Sequence, residues 1–133
     1  MGLLGRFEPQ AYALLRIVAG LLFLFHGLQK FGMFGGQQVP LASLFGAAAL
    51  IEVIGGTLIM IGLAASPLAF LASGEMAYAY FVQHQPNGTW PIQNQGELAA
   101  LYAFIFLYVA ARGSGIWSVD GARSGGARKY RSR

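Results

Sequence analysis

Apolar positions in this chain gather into four long stretches, and most polar ones collect between them. The stretches run from Tyr12 to Leu28, Leu44 to Leu63, Pro67 to Val82 and Glu97 to Ala111. None shows the strict alternation of a half-buried strand. Each approaches the roughly 17–25 residues that a helix needs to cross about 30 Å of hydrocarbon. Flanking residues must lengthen each by a turn, or the bilayer must thin around the protein. A helix satisfies its own backbone in lipid, so the predicted fold class is an all-α membrane protein, an antiparallel four-transmembrane-helix bundle. The expected organisation is one domain, residues 1–120, with spans about 12–28, 44–63, 67–82 and 97–111 and a basic cytoplasmic tail at 121–133.

The connections suit that arrangement. Only Ala64, Ala65 and Ser66 separate the second and third stretches, with Pro67 opening a new helix, and so short a join makes them antiparallel neighbours. The first loop, Gln29 to Ser43, is rich in Gly and Gln. The third, Gln83 to Gly96, is turn-forming and centred on Trp90, an aromatic of the interfacial kind.

Composition strengthens the membrane reading. Of 133 residues 56% are hydrophobic and 11% charged, against about 25% charged in soluble domains. Cysteine is absent, which excludes a disulfide framework and any thiolate-exchange chemistry by this chain itself. The run Leu21 to Phe25 is followed by His26, Gly27 and Lys30 rather than a small-x-small site, so it does not read as a removed signal peptide. Arg6 stands where myristoylation wants Ser or Thr.

The charge is unevenly placed. Arg6, Arg16 and Lys30 stand against Glu8, Glu52, Glu75 and Glu97 in residues 1–111, whereas Arg112, Arg123, Arg128, Lys129, Arg131 and Arg133 face only Asp120 beyond. The body has no basic face with interleaved aromatics, so nucleic acid is not an expected partner. An even number of spans puts both termini on one side. That side holds Arg6, Arg112 and the tail, while the other holds Lys30 alone, so both termini are expected in the cytoplasm.

Ionisable residues inside the spans carry the functional expectation, because an intramembrane charge is expensive unless paired or watered. Arg16 lies on the first helix, Glu52 on the second, Glu75 on the third and Glu97 at the start of the fourth. Arg16, Gly20, Phe23, Gly27 and Lys30 follow the spacing of one helical face, with His26 beside it. These residues predict a polar cavity that opens outward, floored by an Arg16–Glu75 pair, with Glu52, Glu97, His26 and Lys30 handling protons or orienting a ligand. An ion pair that only fixes helix register, and an N-terminal acid complementing the helix dipole at Glu97, remain open as blander roles.

Other residues divide similarly. Tyr78 and Tyr102, with Tyr80 and Tyr108, are candidates to stack on a planar cofactor, though their spacing also serves core packing. His26 and His84 without cysteine make too thin a ligand set, and no metal site is expected. Gly46, Gly55, Gly56, Gly62 and Ala47 to Ala49 are expected to let the second helix approach its neighbours closely. No dinucleotide-binding turn, P-loop or serine-nucleophile elbow occurs.

A series of motifs runs through the chain in order: Leu15-Arg16, Gly20, Phe23, His26-Gly27 and Lys30-Phe31; Gly46, Glu52-Val53, Gly55-Gly56 and Gly62; Glu75-Met76-Ala77; Gly96-Glu97 and Leu101-Tyr102; then Gly113-x-Gly115 and Ser118-x-Asp120. From Leu15 to about Asp120 the chain resembles the DoxX family of small bacterial and archaeal membrane proteins. The resemblance implies a four-helix oxidoreductase subunit of the cell membrane. Its members are linked to thiosulfate oxidation coupled to quinone reduction, to quinone or catechol resistance, and to complexes protecting against oxidative or thiol stress. The function expected from residues and resemblance together is a redox-associated subunit with a pocket for a quinone-like or small acidic ligand. A non-catalytic scaffold in a larger complex and a small-solute permeation protein are the alternatives. The expected partners are the lipid bilayer and a second copy or larger membrane complex.

Overall fold

The computed structural model describes residues 2–124, and among these every regular element is helical. Four long helical stretches dominate. The first, α1, spans Glu8–Lys30, entered through a 3-10 turn at Gly5–Phe7. Pro9 sits in its first turn, where the missing N–H costs nothing, with acidic Glu8 at the start and Lys30 at the end to complement the dipole. The second, α2, spans Leu44–Ile61 and is capped by Ser43, whose Oγ accepts from Gly46 N at 3.2 Å. It is not uniformly α-helical. Ile51–Gly55 widens into a π-turn, a local form that recurs at functional sites. Gly62 then ends the helix in the left-handed region at φ 73°, with Leu63 N donating to Leu58 O at 2.9 Å.

The third stretch, α3, spans Ala65–Ala79 and continues through a second π-turn, Tyr80–His84. The fourth, α4, spans Glu97–Arg112. Two of these stretches, the segment Gly5–Lys30 and α2, are long and apolar enough by themselves to cross a membrane. The helices extend past several predicted bounds. Notably, α3 begins at Ala65 rather than Pro67, leaving the turn to Gly62, Leu63 and Ala64. Of the basic tail expected at 121–133, residues 125–133 lie outside the described residues, while 121–124 belong to a short helix, 119–124.

Two tight pairings organise the core. On α1, Gly20 and Gly27 lie two turns apart and face α2. A Cβ at Gly20 would sit 2.6 Å from Met60 N, one at Gly56 would sit 2.6 Å from Leu24 N, and one at Gly27 would sit 2.8 Å from Val53 N. Backbone therefore meets backbone along this seam, the way small residues drive helix association in lipid. The other expected small residues differ. Gly55 faces open space, and Gly46 packs on the Leu41 carbonyl just before its own helix.

The second pairing joins α3 to α4. Ala65, Ala69, Ala72 and Met76 present a narrow face to Tyr102, Phe106 and Val109. Ser66 and Ser73 each donate across it, to Ala110 O at 2.6 Å and Ala103 O at 2.7 Å. Such interhelical bonds contribute on average about 0.6 kcal/mol each in a bilayer. Phe23 of α1 then wedges against Phe106 (4.8 Å between centroids) and Tyr102 (5.7 Å), joining the two pairs. The outside is inverted relative to a water-soluble domain. Phe104 is 72% exposed and Phe70 68%, amid many exposed Leu, Ile and Val, while Arg16 and Glu52 are buried.

Candidate functional site

The polar residues of the spans fall into two separate groups, one at each end of α1. At its C-terminal end, a cavity of about 250 Å³ opens beside the two loops that follow α1 and α3. His26 and Lys30 reach it from α1, Glu52 from the π-turn of α2, and Glu75 and Met76 from α3. Tyr102 lines it from α4, Phe23 and Phe45 supply aromatic wall, and Gln83, His84 and Gln95 lie at the loop end.

Lys30 Nζ donates to both carboxylate oxygens of Glu52, at 2.9 and 2.6 Å. The Glu52 side chain is 3% exposed and that of Lys30 25%. The close α1–α2 seam makes this reach possible, since Gly27 lets α1 settle against the backbone beside Glu52. Opposite this pair, Glu75 lines the same cavity. Its Oε2 is buried and has no partner, and the Tyr102 hydroxyl shares that condition. Tyr102 itself is held firmly, stacked on Phe106 at 5.4 Å and 6°, with the His26 ring edge-on at 6.0 Å. At the loop end, buried Asn94 fixes the entry to α4. Its Nδ2 donates to Gly88 O at 3.0 Å and its Oδ1 accepts from Gly96 N at 2.8 Å, while its carbonyl lies 3.2 Å from His84 Nδ1.

Arg16 belongs to the other group. The expected Arg16–Glu75 pair is not formed. Arg16 is fully buried and surrounded by carbonyls instead. Its Nε donates to Ile59 O at 3.1 Å, Nη1 to Ser114 O and to Ile116 O at 3.0 Å, and Nη2 to Trp117 O at 2.7 Å and more distantly to Met60 O. Ile59 and Met60 belong to the last turn of α2, whose carbonyls carry partial negative charge. The segment after α4 is thereby wrapped over the end of α2. Tyr12 Oη donates to Gly113 O at 2.5 Å, and Asp120 Oδ2 accepts from Ala64 N and Ser114 Oγ, each at 2.8 Å.

Two further expectations are corrected. Glu97 is exposed in the first turn of α4 and lines a shallow surface recess rather than the cavity, in keeping with a dipole-complementing acid. Tyr78 is 50% exposed and faces a different groove. Of the six expected pocket residues, then, His26, Lys30, Glu52 and Glu75 come together and Arg16 and Glu97 do not. Phe45, Gln83 and Gln95 were not singled out by sequence. The two glutamines carry a usable cue, being neutral polar residues at helix ends.

A family model for DoxX matches residues 11–85, which takes in most of α1, all of α2, and α3 with the π-turn Tyr80–His84 that continues it. The chain belongs to the DoxX family. The match includes His26, Lys30, Glu52 and Glu75, whereas Tyr102 lies beyond it. An uncharacterized protein of Haemophilus influenzae is 39% identical over 128 residues, covering 90% of this chain and 96% of the relative. An uncharacterized membrane protein of Mycobacterium tuberculosis is 29% identical over 133 residues, covering 84% of this chain and 80% of the relative. No solved structure matches. This DoxX protein is thus a membrane protein whose place is a lipid bilayer.

Proposed function

We propose that this DoxX protein is a redox-associated subunit of the cell membrane, built as an antiparallel four-helix transmembrane bundle with cytoplasmic termini. Its cavity binds the head of a neutral, quinone-like ligand. One observation carries the reading. Two of the three buried side-chain polar atoms without a partner among the described residues, Glu75 Oε2 and the Tyr102 hydroxyl, belong to residues lining this one cavity. Buried polar atoms rarely stay unpaired, so a cluster of them at a cavity points to a ligand.

The charge balance selects the ligand's character. Lys30 is already engaged by Glu52, and Glu75 adds a second carboxyl. Among the described lining residues Lys30 is the one fixed cation, so a small acid would find no unpaired positive charge, and a neutral ligand is favoured over the acidic one. The residues fit a quinone head: Phe23, Phe45 and Met76 would supply apolar wall for its ring, and the unpaired Tyr102 hydroxyl would be its hydrogen-bond donor. Glu75, beside Glu52 in the cavity wall, would be placed to give or take a proton, and His84, Gln83 and Gln95 lie between the site and the loop end. A quinone supplies two-electron, two-proton acceptance, and the electrons come from a partner because this chain has no thiols. Permeation is disfavoured, since Phe23, Phe106, Ile59 and Val109 pack without exposure between the helices.

Equilibrium binding of a tailless benzoquinone to the protein in nanodiscs tests the reading. Tyr102→Phe should weaken binding about tenfold, the loss of one hydrogen bond of about 1.4 kcal/mol, with no drop in melting temperature. If the wild-type protein binds no quinone and instead copurifies with a soluble enzyme, the scaffold reading replaces this one.

A further inference from the structure

We infer that the cavity's ligand carries a long apolar tail, and that this tail lies in a lipid-facing groove between α2 and α3. The inference rests on the proposed head-group site and names its substrate class further, as a membrane-resident single-tailed amphiphile. The groove has a volume of about 360 Å³ and is almost wholly apolar, formed by Leu44 and Ile51 of α2 and by Phe70, Leu71, Gly74 and Tyr78 of α3. Glu75 lines both this groove and the polar cavity.

The register of the two helices makes the junction specific. Leu44 and Ile51 immediately precede the cavity residues Phe45 and Glu52, while Gly74 and Tyr78 flank Glu75 and Ala79. One seam therefore presents polar groups inward and an apolar channel outward, with Glu75 between them. Glu75 lies ten residues into α3, about 15 Å along its axis, a depth where only hydrocarbon surrounds the groove. Glu75 is half-buried at that depth, with Oε2 buried and unpaired, and an unpaired carboxyl oxygen there is costly unless something polar docks on it. A head entering laterally past Glu75 into the cavity leaves its tail in the groove, already in its preferred solvent. Gly74 fits the role of a groove floor, because a Cβ there would meet nothing within 4 Å. A larger residue at this position should fill the groove without disturbing the helix pairings.

The test uses the full-length protein in nanodiscs and a benzoquinone bearing a ten-carbon tail with a terminal diazirine. Photolysis should label peptides containing residues 70–78 and 44–51, and excess unlabelled tailed quinone should suppress that labelling. Gly74→Leu should lower it at least fivefold while leaving binding of the tailless quinone unchanged. Leu71→Trp narrows the same groove and serves if Gly74→Leu does not fold. Labelling spread evenly over the lipid-facing residues of α1 and α4, and not suppressed by competitor, overturns the tail groove; retained tailless binding would then leave the cavity reading intact. Loss of tailless binding in the wild-type protein removes both. A changed particle mass for Gly74→Leu with labelling unaffected assigns the groove to a second copy of the chain and overturns the proposal.

Discussion

Arg16 and Lys30 share one face of α1, about 21 Å apart along its axis, and their charges are met in opposite ways. Lys30 has a carboxylate, gripped through both oxygens, whereas Arg16 has only backbone carbonyls. The first arrangement builds the candidate site. The second ties the segment after α4 to α1 and to the last turn of α2.

The Lys30–Glu52 pair is expected to behave as a coupled unit. Lys30→Met strands a buried carboxylate, and breaking a buried pair costs about 3–5 kcal/mol, with the low end applying because Lys30 is partly exposed. Lys30→Met with Glu52→Gln should recover most of that loss. Melting temperatures of the two single variants, the double variant and the wild type in nanodiscs check this; a double variant as unstable as the sum of the singles refutes the coupling.

Arg16→Lys should fail to replace Arg16. An ammonium has three donors on a point charge, while the guanidinium fork reaches carbonyls on two separate segments. The expected outcome is faster amide hydrogen exchange and protease cleavage in residues 113–120, with tailless quinone binding kept, because Arg16 lies away from the cavity.

Neighbouring glycines of α2 should respond in opposite ways. Gly56→Ala drives a methyl to 2.6 Å from Leu24 N and must push α1 away, lowering stability and loosening the Lys30–Glu52 bonds. Gly55→Ala meets nothing within 4 Å and should be neutral or stabilise by about 0.4–1 kcal/mol. Thermal melts of the two variants separate them.

The proposed orientation predicts that single cysteines replacing Gln37 or Gln93 react with an impermeant maleimide in intact cells. One replacing Ser124 should react only after the membrane is opened. Reversed labelling would turn the cavity mouth towards the cytoplasm.

Position along each helix was legible in the sequence, and direction around it was not. Counting residues located Glu52 and Glu75 at mid-span and gathered His26 and Lys30 at one end. It mispaired Arg16 with Glu75 because the true partners are carbonyls of Ile59, Ser114, Ile116 and Trp117. Backbone acceptors exist at every residue and leave no mark in a side-chain pattern. The π-turn at Ile51–Gly55 hid the rest, since one extra residue in a turn rotates everything after it and shifts which side chains face inward. Glu97 shows the converse: at a helix start, an acid reads equally as dipole partner or pocket wall until its exposure is known.

The Arg16 clasp has a consequence for biogenesis. The ribosome delivers α1 to the membrane first, so its guanidinium enters a hydrocarbon environment long before its acceptors at 114–117 have been synthesised. Until then only the α2 carbonyls of Ile59 and Met60 can meet it, and the rest of the guanidinium fork stays unsatisfied. The full set of acceptors exists only once that short segment after α4 has been made. Chains cut short before residue 114 are expected to leave that fork without three of its carbonyl acceptors.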